Sequence, residues 1–218
     1  MAATNPRAQG HDPRGAETGW PRQPRCHGQR GAARPPAPPK RLELQPNRTR
    51  AENLADLPGR CAVGCNRNRK GHPESWIGYK LHLDTLAGDC PVSAVLTSAS
   101  GPDSQGAIPV AQMTAQRVRS RSDLMDSAYD APQSHAFCTQ LGQVPIIDPN
   151  PRRGEKIPLA PAPAERFKER SAAGRVNSLL KERYGGRWGR VRGAAKVRCH
   201  WMFGVVALTA PALFARLC

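Results

Sequence analysis

Residues 77–84 alternate with period two: Ile77, Tyr79, Leu81 and Leu83 fall on one side, and Gly78, Lys80, His82 and Asp84 on the other. That period belongs to a strand with two unlike faces, because successive side chains of extended backbone point to opposite sides. Gly88-Asp89 is a turn signal, and residues 92–97 alternate again with β-branched side chains, so the stretch is a β-hairpin. A chain built on such a hairpin is not all-helical, and its remaining elements must cover the hairpin's apolar face.

The elements that follow are of both kinds. Residues 108–118 place Ile108, Ala111 or Met113, Ala115 and Val118 near helical spacing behind the cap-like Asp103-Ser104, which predicts a helix. Residues 122–130 read as a short buried strand ending in acidic residues. Residues 134–141 read as a helix stopped by Gly142, and residues 144–147 as an apolar strand closed by Asp148-Pro149-Asn150-Pro151. Strand, strand, helix, strand, helix, strand is the order of an α/β layer with a mixed sheet and flanking helices. Residues 164–183 form the longest helical pattern, ended by Gly185-Gly186. Residues 193–217 read as a hydrophobic helix or pair of helices packed on the sheet. The apolar run 201–215 is shorter than the roughly 20 residues a membrane span needs, Pro211 interrupts it, and Arg198 and Arg216 bracket it, so no membrane segment is expected.

Upstream of the hairpin the pattern fails. Residues 1–41 are rich in Pro, Arg and Gly and carry no period, which predicts a disordered tail ahead of a single domain over residues 42–218. Leu42-Glu43-Leu44 alternates like a scrap of strand, and residues 51–57 suit one or two helical turns before Pro58.

Charge is concentrated in blocks. The formal net charge is +16; residues 1–50 hold ten Lys/Arg against three Asp/Glu, residues 51–151 eight against ten, and residues 152–198 fourteen against four. Positive charge gathered in segments points to a polyanion, with nucleic acid first. Seven cysteines form no even framework and no apolar leader precedes them, so a cytoplasmic chain with reduced thiols is expected. Cys61-x-x-x-Cys65 supplies half of a zinc site, but no second pair follows at ligand spacing, and zinc is not expected.

Two places carry candidate chemistry. Asp126, at the end of the acidic strand, is the candidate Mg²⁺ ligand, since a carboxylate on a rigid strand offers the hard oxygen such a cation takes. Turn and cap duty for Asp123, Asp126 and Asp130 is the competing reading. The basic helix and the segment after it supply the candidate DNA-phosphate contacts Arg170, Arg175, Lys181, Arg187, Arg190 and Arg192, against the alternative of a solvated charged face. Gly174 is out of place there, because glycine inside a helix costs about 1 kcal/mol relative to alanine.

From about Leu42 to its end the chain resembles the DDE transposases of bacterial insertion sequences, in the subgroup with a Tyr, Arg, Glu and Lys signature in the last catalytic helix. The hairpin of residues 76–84 and 91–104, the strand of residues 124–130 and the helix of residues 167–181 carry the likeness. The resemblance implies an RNase H-like domain, transposon-end DNA as partner, and phosphoryl transfer with two Mg²⁺ about 3.5–4 Å apart held by three carboxylates. Asp126 would be the second carboxylate. The signature spacing falls on Phe167, Arg170, Gly174 and Lys181, so Phe stands for Tyr and Gly for the catalytic Glu. Glu169 and Glu165 lie about 140° and 180° around the helix from position 174 and do not replace it. The first aspartate has no counterpart on a strand, since only Asp12 and Asp56 precede the hairpin. The expectation is an N-terminally truncated, incomplete RNase H-like domain that binds DNA and is catalytically impaired. The alternatives are a non-enzymatic basic nucleic-acid-binding protein and a chain that barely folds. The oligomeric state is not legible in the sequence, which allows a homodimer.

Overall fold

The computed structural model describes residues 40–67, 71–151, 155, 157–187 and 190–217, all within one unit, Pro38–Cys218. The expected disordered tail therefore lies, but for Lys40 and Arg41, outside the described residues.

Two short helices come first, α1 (Arg41–Leu44) and α2 (Arg50–Asp56), with a 3₁₀ turn, Gln45–Asn47, between them. Residues 42–44 are thus helical and not a strand. Glu43 reaches back to the Lys40 N–H at 3.0 Å, a local helix-starting bond that a three-residue alternation does not outweigh. Thr49 caps α2 in a capping box with Glu52, and Pro58 follows its end.

The expected hairpin is present as β2 (Pro73–Leu86) and β3 (Cys90–Ser98), antiparallel, with Gly88 at φ 80° and Asp89 at φ 58° making the turn. A strand with no sequence-based expectation, β1 (Ala62–Arg67), pairs antiparallel with the first half of β2. Trp76 lies across from Gly64, where an added Cβ would come within 2.6 Å of the indole. After the hairpin come α3 (Ser104–Ala115), β4 (Ser122–Met125), α4 (Pro132–Gln140) and β5 (Val144–Ile147). α3 carries Pro109, whose missing N–H leaves the Gln105 carbonyl without its helical partner; the side-chain amide of the buried Gln45 donates to that oxygen at 2.9 Å. Gly142, at φ 73°, ends α4 as expected.

One mixed sheet was expected, and two small sheets are found: antiparallel β1-β2-β3 and parallel β4-β5. Strand content was legible, but which edges meet depends on tertiary placement. The face of β2 that packs inward is also the polar one. His82 is 3% exposed and lies beneath Gly106 of α3, where an added Cβ would be 2.7 Å from the imidazole. Apolar packing beside it joins Leu57, Val95 and Val110 in one cluster and Ile108, Ala111 and Phe137 in another.

The basic helix is two helices, α5 (Pro161–Phe167) and α6 (Ser171–Glu182), joined by a 3₁₀ turn, Lys168–Arg170. It is not the longest, because α7 (Ala194–Leu217) runs 24 residues as a single helix straight through Pro211. α6 buries Ala172, Val176 and Leu180. Only part of α7 packs on neighbours: Val197 is buried, Gly204 sits against Leu180 and Tyr184, and Thr209 donates to the Pro91 carbonyl at 3.4 Å. The expectation of a helix buried on the sheet fails along its outer side, where Phe203 is 70% and Phe214 71% exposed. The length argument against a membrane span fails too, since residues Ala194–Ala215 are long and apolar enough to cross a bilayer by length and composition.

Candidate functional site

β4 ends at Met125, and the chain turns at once into a 3₁₀ turn, Ser127–Tyr129, capped by Asp126. Asp126 Oδ1 accepts from the Ala128 N–H at 3.2 Å. Its Oδ2 accepts from Arg170 Nη2 at 2.7 Å, both side chains being partly exposed. Asp126 is thus a cap residue, and it also stands at the mouth of a cleft facing the basic helix.

That cleft, a cavity of about 110 Å³, lies between β2 and β4, with α3 on one side and α6 on the other. It is lined by Leu81, Leu83 and Asp84 of β2, Asp123 and Leu124 of β4, Asp126, Tyr129, and Arg170, Ala173 and Asn177 of the α6 side. Three carboxylates thus border one space. Burial raises Asp84 above the ordinary carboxylate range. Burial, and then the neighbouring charge of Asp84, push Asp123 up to about 7. The Cys138 thiol donates to Asp123 Oδ2 at 3.7 Å and is itself pushed up to about 12, first by burial and then by Asp123. His82, held neutral by burial, bridges Thr97 Oγ1 at 2.8 Å and the Tyr129 hydroxyl at 2.7 Å. Asp84 and Asp123 were missed as site residues. The available signal was Asp84 at the end of the alternating run and Asp123 in the short acidic strand, but their convergence needs the fold.

Of the candidate DNA contacts, only Arg170 meets Asp126. Arg175 is turned the other way and grips the hairpin turn, its guanidinium donating to both Asp89 oxygens at 2.7–3.1 Å. Arg187 lies 3.7 Å from Glu182, while Lys181, Arg190 and Arg192 are exposed. Position 174 lies four residues beyond Arg170, is exposed and is not among the residues that line the cleft, and an added Cβ there meets nothing within 4 Å.

The chain is thus an α/β domain with an acid at a strand end facing a basic helix. Residues 62–210 match the family model described as transposase DDE domain, and the chain belongs to that family. Membership implies an RNase H-like fold, DNA as partner and DNA transposition as the family's process. No curated protein and no solved structure matches the chain.

Such transposases generally use a divalent metal, and the residues present do not fit one. Among the described residues no group of three or more His, Cys, Asp or Glu side chains is arranged to hold an ion. A guanidinium takes the outer oxygen of Asp126, and the other two acids are held toward their neutral forms by burial. The free cysteines Cys61 and Cys65 are exposed on and beside β1 and form no zinc cluster.

Proposed function

We propose that this chain is a DNA-binding member of the transposase family whose catalytic centre is impaired, in the subgroup with the Tyr, Arg, Glu and Lys signature. The observation that carries the reading is the Asp126–Arg170 ion pair, together with glycine at position 174, where the signature spacing calls for Glu. In a working centre a carboxylate at position 174 would share the load of Mg²⁺ with Asp126. With glycine there, the positive charge near Asp126 comes from Arg170 instead. In this reading residues 42–218 are the transposase domain and residues 1–41 a tail, and among the described residues no aspartate lies on a strand before Asp84 of β2.

DNA binding would rest on Lys181, Arg190 and Arg192, which are exposed, with Arg187 adding charge from a weakly paired position and Arg170 contributing less because Asp126 engages it. Arg175 has the smaller part in this reading because it holds Asp89. The exposure of those three basic residues also favours the second reading, a non-enzymatic basic protein that binds nucleic acid without sequence preference. Binding to transposon-end and random duplexes across a salt series separates the two: preference for the ends supports the first, and equal affinity with a steep salt slope supports the second. Mg²⁺-dependent cleavage of transposon-end DNA that is lost in Asp126→Ala would refute the impairment.

A cytoplasmic homodimer completes the reading. On α7, Phe203, Val206, Ala210 and Leu213 are exposed at alternating spacings of three and four residues, the seam of one helix against another. A protein partner is favoured over a bilayer because Lys196 and Arg198 fall within the candidate span.

A further inference from the structure

We propose that the outer edge of β1 docks a second copy of this chain, the two β1 strands lying antiparallel about Val63. The inference depends neither on the α7 seam nor on the catalytic reading. It rests on an open strand edge whose sequence is complementary to itself.

The sheet order β1-β2-β3 leaves β1 at an edge, and among the described residues it pairs with β2 alone. The outer side of such a strand presents a row of N–H and C=O groups, which is a template for another strand. Proteins guard edges of this kind with proline, bulges or charge. β1 reads Ala-Val-Gly-Cys-Asn-Arg, with no proline, no register shift against β2 and no charge before its last residue. Its two faces are unlike. Gly64 is buried beneath the Trp76 indole, while Cys61, Val63 and Cys65, which alternate with it, are exposed. Val63 is 59% exposed and Ile77, directly across the ladder from it, 80%.

Symmetry names the occupant. Residues 61–65 run Cys-Ala-Val-Gly-Cys, which reads the same in both directions but for the exchange of two small residues. Antiparallel pairing about Val63 sets Val63 against Val63 of the second copy, Ala62 against Gly64, and Cys61 against Cys65. On the exposed face, Ile77 and Val63 of the two copies then form one row of four β-branched side chains across the joined sheet, and such cross-strand pairs stabilise it. No charge within residues 61–65 opposes the contact. A two-fold contact uses the same patch on both copies, so a single palindromic strand completes it. An unrelated strand has no reason to match on both sides of Val63. A ladder of about five residues a side is small beside the roughly 20–30 of a standard interface, so the pair is transient and suits capture by cross-linking.

Within one chain Cys61 and Cys65 are four residues apart on extended backbone, about 13 Å, beyond the roughly 7 Å that a disulfide spans. A disulfide between them therefore joins two copies. The test uses the full chain with Cys26, Cys199 and Cys218 replaced by serine, oxidised with diamide, which takes the two thiol hydrogens as the S–S bond forms. Cys61→Ser and Cys65→Ser should each give little covalent dimer alone, and about fivefold more or better when mixed one to one. The same gain is expected with Phe203→Ser and Leu213→Ser added, which removes the α7 seam. Val63→Lys should abolish the cross-link by setting two ammonium groups against each other, with little change in the unfolding midpoint at so exposed a position, and Val63→Thr should retain it. Equal cross-linking in the single variants, a Val63→Lys chain that cross-links as before, or a gain that vanishes with the α7 substitutions would overturn the proposal. So would a mixture without cross-links, and slow amide exchange at residues 62–65 in dilute protein would then assign the edge to a segment of the same chain.

Discussion

Replacing Gly174 with alanine should stabilise the protein, and the size of the gain follows from the geometry. The residue is the fourth of twelve in α6, its φ is not in the left-handed region, and an added Cβ meets no atom within 4 Å. The full helix-propensity difference of about 1 kcal/mol should therefore appear without a packing penalty. For a folded unit of this size that is a rise of roughly 2–4 °C in the unfolding midpoint. Thermal unfolding followed by circular dichroism measures it directly. An unchanged or lowered midpoint would mean that the space beside α6 is filled, and would refute the placement of position 174 in open space. Gly174→Glu should keep most of the gain, because Arg170 lies one turn earlier on the same side. It should not by itself bring Mg²⁺-dependent cleavage, since Asp126 stays paired with Arg170 and the other two acids stay buried.

Stability should fall with rising pH through the range set by Asp123. Its folded pKa is raised to about 7, so the folded state holds a proton that the unfolded chain releases near pH 4; the stabilising proton is fully bound in both states below about pH 4 and lost as pH passes about 7. Asp123→Asn should flatten that slope in urea titrations between about pH 4 and 7, and an unaltered slope would remove Asp123 as its source. Gly106→Ala should destabilise by about 1–3 kcal/mol, because the new methyl meets the buried imidazole of His82; a change below about 0.5 kcal/mol would mean that His82 moves freely. Phe203→Ser with Leu213→Ser should convert a dimer to a monomer in sedimentation without lowering the unfolding midpoint of the monomer, and a wild-type chain that sediments as a monomer would dismiss the α7 seam.

The local elements were legible because their signals are local. The alternation of residues 77–84, the glycines that end helices, and the strand that delivers Asp126 each follow from backbone sterics and nearby side chains. The conflict at position 174 was legible for the same reason, as was the pairing of residue types that marks the family. β1 was not legible, because six residues containing Gly64, Cys65 and Asn66 carry no alternation and become a strand only by pairing with β2. Nor was the division into two sheets, since edge pairing depends on separations between segments that no residue pattern encodes. The same holds for Asp84 and Asp123, some forty positions apart in the chain, which share one cleft only after α3 has packed across both strands. By itself the sequence determined which side chains were acidic, basic or apolar along each element. Tertiary structure alone decided that Arg170 would neutralise Asp126 while Arg175 turned away to hold a hairpin, because residues five apart on a helix project in different directions and the partners they meet come from distant strands.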